Sequence, residues 1–136
     1  MRNTSAPVRV WPCINYRDAQ GAIAFLSEAF GFQAVVVHER DGHVEHCEMR
    51  WPLGGGIMLG TASEDGTPFE RLPTGAAGTY VVTDDPDGLF RRATGAGARV
   101  VVAPKDEEYG ARGFTVADPE GNLWSFGTYE GETPGT

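Results

Sequence analysis

The stretch "YRDAQGAIAFLSEAFGFQAVVV", residues 16–37, is echoed 66 positions later by "TDDPDGLFRRATGAGARVVV", residues 83–102. Asp18 falls on Asp84, Ile23 on Leu89, Gly31 on Gly97, and Val35-Val36 on Val101-Val102. In both copies the Gly lies 13 positions after the Asp. A repeat of this kind sets the architecture, so it takes precedence over any single element. Each copy has the same local logic. An apolar stretch ends at an acid suited to cap a helix, and small and apolar residues follow at helical spacing. A Gly able to take left-handed backbone then stops the helix. A Val-rich stretch of high β preference comes next.

Two more strands follow in each half: "HVEHCEMRW" (43–51) and "GGGIMLG" (54–60), then "RGFTVAD" (112–118) and "NLWSFGTY" (122–129). The turns between them, "PLGGG" and "DPEGN", carry the Gly and Pro that tight turns need, and Gly55 aligns with Gly121. The chain therefore reads as one α+β domain over 1–136, built of two βαβββ modules at 8–60 and 77–129. The join, "TASEDGTPFERLPTGAAG", is a loop by composition. One helix covers one face of each mostly antiparallel sheet and leaves the other open. Two such curved sheets, side by side or paired with those of a second copy, enclose a cleft, and function belongs on that open side.

Bulk properties narrow the choices. With 136 residues, 40% hydrophobic and 22% charged, the chain has enough material for one substantial core. A formal charge of -8, with no run of Lys or Arg, argues against nucleic acid and against anionic membrane surfaces. No apolar run approaches the ~20 residues of a membrane span, and "MRNTSAP" lacks the apolar core of a secretory signal. A cytoplasmic location is expected. Cys13 and Cys47 form no CxxC pair and no disulfide framework, and read as reduced thiols.

"PCINYRDAQGAIAFLSEAFGF", "GGGIMLG", "KDEEYGARGFTVADPEGNLWSFGTY" and the duplicated βαβββ plan together resemble the vicinal oxygen chelate superfamily, which includes glyoxalase I, bleomycin-resistance proteins and extradiol dioxygenases. The resemblance covers almost the whole chain. It is closest to the small glyoxalase/bleomycin-resistance-like (PhnB-like) proteins. It implies a homodimer and, in the superfamily's enzymes, a divalent metal held by His or Glu from the first and last strands of each module. That metal polarises substrate oxygens. Carried onto this sequence, the four ligand positions fall at Trp11, at Met58 or Leu59, at Gly78 and at Ser125. None is a competent ligand for such an ion, so neither metal nor other cofactor is expected.

All three histidines lie in "VVVHERDGHVEHCEM", residues 35–49. Asp41-Gly42 between β-formers signals a two-residue hairpin. Its register would pair Arg40 with His43, Glu39 with Val44, His38 with Glu45 and Val37 with His46. Alternation then splits the cluster. His38, His43 and Glu45 share one face with Cys47 and Met49, while Val44, Val37, His46 and Glu48 share the other. The first group reads as a solvated hairpin tip. His46 and Glu48 are expected to point into the cleft, either as a mutually bonded wall pair or as a general base oriented by a carboxylate.

The same alternation assigns Trp11, Cys13, Met58, Tyr80, Val82, Phe114 and Ser125 to the cleft wall, with Arg112 at its mouth beside Asp106 and Tyr109, and puts Trp124 and Phe126 in the core. Arg112 is suited to clamp a carboxylate or phosphate, or to pair with neighbouring acids. Aromatic and thioether side chains with a few polar groups suit a binder of flat or apolar small molecules. Two functions are therefore expected to compete. One is metal-independent binding of an aromatic or apolar molecule. The other is a lyase, isomerase or dioxygenase reaction using a displaced metal or His46 and Glu48, with those two residues catalytic.

Overall fold

The computed structural model describes residues 7–132 except 109, and residue 134; the expectation for Tyr109 lies outside the described residues. The first module runs β1 (Cys13–Tyr16), α1 (Ala19–Phe25) with a π-helical continuation (Leu26–Phe30), β2 (Gln33–Arg40), β3 (His43–Arg50) and β4 (Gly56–Thr61). The second runs β5 (Gly78–Val82), α2 (Pro86–Gly95), β6 (Arg99–Asp106), β7 (Arg112–Ala117) and β8 (Leu123–Gly127). Each module folds into its own four-stranded sheet, in the orders β1-β4-β3-β2 and β5-β8-β7-β6. Only the β1–β4 and β5–β8 pairings are parallel.

The helix starts differ from the sequence alignment by one residue. Asp18 caps α1, its carboxylate accepting from the Gly21 N–H at 2.9 Å. In the second module the cap is Asp85 rather than Asp84, accepting from Gly88 at 3.0 Å. Pro86 is the cause, because a proline is pre-set for the first helical position and makes the preceding residue the cap. The stretch from Asp85 to Gly97 is thus one residue shorter than that from Asp18 to Gly31. The first module absorbs its extra residue in the π-helical turn, the usual signature of a single insertion in a helix. Both helices then end against a left-handed Gly, with φ 93° at Gly31 and 100° at Gly97.

Both helices lie on the same side of the molecule and share one core. Phe30 touches Trp124 and Phe126, with ring centroids 5.5 and 4.7 Å apart, and Phe32 touches Trp51 and Trp124 at 5.0 and 5.6 Å. Aromatic side chains of one module are therefore buried by those of the other. Arg92 of α2 ties the helices further, donating to the carbonyls of Glu28 (2.8 Å) and Ser27 (3.0 Å) at the π-helical end. The Glu28 carbonyl lies in the last turn, where a helix leaves carbonyls without internal partners, while that of Ser27 also accepts from the Gly31 N–H at 3.1 Å.

A second clasp is made by the "DPEGN" turn. Asp118, 4% exposed, accepts from the Tyr16 hydroxyl (2.7 Å), the Trp124 indole N–H (3.1 Å) and the Asn122 side chain (3.1 Å). Burial, reinforced by Asp118, pushes the Tyr16 phenol well above its ordinary range. Glu120 accepts from the backbone N–H groups of Arg17 and Asp18 at 2.7 and 2.8 Å. The turn of one module thus supports the strand-to-helix corner of the other, and the face of each sheet away from the helices is left open.

Candidate functional site

The hairpin at Asp41-Gly42 forms, with Arg40 opposite His43 and Glu39 opposite Val44. Beyond that the register differs from simple alternation. A bulge at Glu45 puts His38 opposite His46, Val37 opposite Cys47 and Val36 opposite Glu48, and a second irregularity near Val35 then puts Ala34 opposite Met49. The physical reason is visible in burial. An uninterrupted ladder would turn Val44 to the open face, whereas the bulge returns it to the core, 1% exposed, with Cys47 and Met49 at 0%. His38 accordingly joins the open face, its ring stacked 6.2 Å from that of His46.

On this face His46 Nε2 and Glu48 Oε2 lie 2.8 Å apart, both half-buried. The central rung runs Cys13, Met58, Glu48, Val36. Met58, not the buried Leu59, is therefore the open-face residue of β4. On one side of that rung lie the pairs Asn15–Gly60 and His46–His38. On the other, Gly56 stands opposite Arg50. Trp11 precedes β1 rather than lying in it, and its ring reaches across Gly56, where an added Cβ would come within 2.7 Å of the indole.

A hollow of about 540 Å³ opens on this face, lined by Cys13, Asn15, His46, Met58, Gly60 and Thr61 from the sheet. Its other wall is the join between the modules. Thr67, Phe69 and Glu70 line it, and Asn15 donates to the carbonyls of Phe69 and Leu72, the latter at 3.3 Å. Thr67 donates its backbone N–H to Glu70 at 2.9 Å, and this bond, aided by the Thr67 hydroxyl and by His43, holds the Glu70 carboxyl below its ordinary range. Composition alone made this segment a featureless loop. The one hint was a Phe within otherwise polar "EDGTPFER". Beneath the face, burial and then the adjacent Glu48 push the Cys47 thiol up to about 11, so it is no nucleophile.

The remaining predicted wall residues gather elsewhere. Tyr80, Arg112 and Ser125 line a separate hollow of about 340 Å³ on the second sheet. Its central rung is Tyr80, Ser125, Thr115, Val102. Phe114 corrects the expectation. It stands opposite Phe126, is 2% exposed, stacks on Phe126 and meets Phe90 edge-on, so its ring belongs to the core with Trp124. Arg112 is spent on acids, donating to both carboxylate oxygens of Asp87 (2.9 and 3.0 Å) and to Asp106 (3.2 Å). That fork holds Asp87 below the ordinary carboxylate range. Ser125 shares its hydroxyl with Thr115, and the Tyr80 hydroxyl donates to the Tyr129 carbonyl at 2.7 Å. Val82, half-buried, borders a third hollow with Trp51 and Gly54–Gly56, its carbonyl accepting from the Trp51 indole N–H at 2.8 Å. Among the described residues, none of these hollows is lined by open-face residues of both central rungs.

The profile of the Glyoxalase/Bleomycin resistance protein/Dioxygenase superfamily matches residues 9–126, and the chain belongs to that superfamily. Similar proteins include uncharacterized proteins of Mycobacterium bovis and Mycobacterium tuberculosis. Both are 36% identical over 120 residues, or 81% of this chain, which span 76% and 68% of those relatives. Among solved structures, TioX from Micromonospora sp. ML1 is similar at 28% identity and a TM-score of 0.71, over 88% of this chain and 98% of that one. A superfamily member from Sphaerobacter thermophilus has a TM-score of 0.67 at 22% identity, over 90% and 96%, which speaks to the fold alone.

The superfamily's enzymes imply a divalent metal, and the residues present do not fit one. The side chains at the four positions are Trp11, Met58, no side chain at Gly78, and a Ser125 hydroxyl already bonded to Thr115. Among the described residues no three His, Cys, Asp or Glu side chains gather to hold an ion. A structural site needs about four such donors and a catalytic one about three.

Proposed function

We propose that the protein binds an aromatic or otherwise apolar small molecule, without a metal, on the open face of its first module. The observation that carries this reading is the hollow between the Cys13, Met58, His46 side of the sheet and the Thr67–Glu70 wall. Cys13, Ile14, Met58, Leu59 and Phe69 give it an apolar part, and Asn15, Glu45, His46, Thr61, Thr67 and Glu70 set polar groups around that part, a combination that small-molecule sites use. Met58 and Phe69 supply soft and aromatic contact, Asn15 and His46 supply orientation, and Gly60 leaves room above the strand. The second hollow contributes less, because Tyr80, Arg112 and Ser125 already have partners within the chain. A library screen by thermal shift tests the reading, with metal removed by chelator. Aromatic compounds are expected to raise the melting temperature, and a screen in which no compound class does so overturns it.

One observation favours a second reading. The 2.8 Å contact between His46 and Glu48 is the geometry of a base held by a carboxylate, and it suits His-assisted lyase, isomerase or dioxygenase chemistry in which both residues are catalytic. Elemental analysis of untagged protein and the fate of turnover in His46→Ala separate the two. A stoichiometric divalent ion lost in that variant favours the enzyme.

A homodimer is part of the same reading. Both outer strands, β2 and β6, leave Val35, Val37, Val100 and Val101 exposed along sheet edges, where unpaired strands normally avoid apolar residues. Sedimentation showing only monomer at micromolar concentration contradicts it. We place the protein in the cytoplasm; no helix among the described residues is long and apolar enough to cross a membrane.

A further inference from the structure

We infer that Arg50 is the seat for an anionic group on the bound molecule, so that the ligand is an aromatic acid. The inference rests on the reading that the first module's open face binds a flat apolar molecule.

Asp and Glu number 19 against 11 Lys and Arg, so an arginine has carboxylates to spare around it. Yet among the described residues Arg50 makes no ion pair and no side-chain hydrogen bond, and its Nε is buried without a partner. Among the described residues Arg9, Arg17, Arg71 and Arg99 also lack an ion pair, and what sets Arg50 apart is burial. A buried donor left unpaired normally carries a penalty that a native chain avoids. One candidate, Glu48, sits two residues away on the same face of β3. It is turned the other way, held by His46 at 2.8 Å.

What fixes Arg50 instead is an aromatic plane. Its guanidinium carbon lies 5.3 Å from the centroid of the Trp11 ring, within cation–π range. The two side chains meet because the residue between them on the rung is Gly56, where a Cβ would strike both the Met49 carbonyl (2.6 Å) and the indole (2.7 Å). The guanidinium is thus stacked, oriented and free of carboxylates. That is a preformed donor fork for a planar anion such as a carboxylate.

Its position defines the ligand. Two residues of strand rise put the Arg50 rung about 7 Å from the rung of Cys13, Met58 and Glu48. The apolar part of the hollow therefore accepts a ring while a carboxylate attached to that ring reaches Arg50. The acids of the hollow, Glu45 and Glu70, line it beyond Met58 with Gly60 and Thr61, so they repel an anion toward the Arg50 end. Geometry and charge give the molecule one orientation.

The test uses 2-naphthoate and its neutral isostere 2-naphthamide, titrated calorimetrically into the full chain. The wild type is expected to bind the naphthoate at least about tenfold more tightly, and Arg50→Gln to abolish that preference while leaving affinity for the amide within about twofold. Equal affinities in the wild type, or a preference that survives in R50Q, overturn the Arg50 seat and leave the binding reading standing. Failure of both compounds to bind overturns both. A readout on the wild type alone guards against a variant that does not fold. The Arg50 Nε–Hε resonance is expected to shift on adding naphthoate and to stay still on adding the amide, and an unmoved resonance at saturation contradicts the seat.

Discussion

Rung for rung, the two open faces are built on one plan and filled with different chemistry. Cys13, Met58, Glu48 and Val36 of the first stand where Tyr80, Ser125, Thr115 and Val102 stand in the second. In the second, the Tyr80 hydroxyl would lie only 2.8 Å from a Cβ added at Gly127, so the tyrosine occupies the space that the glycine leaves, and its hydroxyl is anchored to Tyr129. In the first, the equivalent place above Gly60 stays open, because Cys13 is short and Asn15 turns to hold the join. Duplication supplied two equal scaffolds. One is partly filled by its own side chains and keeps a hollow of about 340 Å³, while the other keeps one of about 540 Å³, so fold membership alone does not locate a site.

The largest effects are expected from loosening what the two modules share. Phe30→Ala removes a ring that packs on Trp124 and Phe126, and is expected to cost about 3–5 kcal/mol and to melt both sheets in one transition. Separate transitions in calorimetry would show two independent cores. Asp118→Ala comes next, at about 3 kcal/mol, since it orphans the Tyr16 hydroxyl and the Trp124 N–H together. Chemical denaturation with an unchanged slope is the check, and a loss under 1 kcal/mol would mean that Asp118 does not clasp the modules.

A matched pair of truncations sharpens the contrast between faces. Met58→Ala is expected to weaken binding of 2-naphthoate roughly tenfold, the effect of about 1.4 kcal/mol of lost contact. Ser125→Ala, at the equivalent place on the second face, is expected to change it less than about twofold. Fluorescence titration distinguishes these, and equal effects would merge the two sites. The smallest effect belongs to Arg112. Its fork holds the Asp87 pKa below the ordinary carboxylate value, so the pair stabilises at neutral pH, and that contribution is lost only as pH falls through the depressed pKa. The melting-temperature gap between wild type and Asp87→Asn is therefore expected at pH 7 and to close in acid, once the pH has fallen through the depressed Asp87 pKa. A gap that persists there would point to packing rather than charge.

The modules were legible because their signals are local: Asp caps, Gly stops, Val runs and Gly-rich turns recur with a period that no packing detail disturbs. The site was legible only in part. Period-2 alternation brought His46 and Glu48 onto the open face, but it misassigned His38, Val44 and Phe114. A one-residue bulge has no reliable mark in sequence, and its cause, the burial of Val44 against a helix, is a tertiary one. The one-residue offset at Asp85 follows from Pro86 and was available to local reasoning. The role of the join as a wall was not, since Asn15 reaches it across more than fifty residues of chain. Nor was Arg50, whose isolation depends on where Glu48 turns.

Under the proposed function the first face, and not the second, takes the ligand, and takes it without a metal. Amide chemical-shift mapping with 2-naphthoate, in the presence of a chelator, tests this most directly. Shifts are expected at Cys13, His46, Met58 and along Thr67–Glu70, with Tyr80, Thr115 and Ser125 unmoved. Shifts confined to the latter three, or binding that appears only when a divalent ion is added, would contradict it.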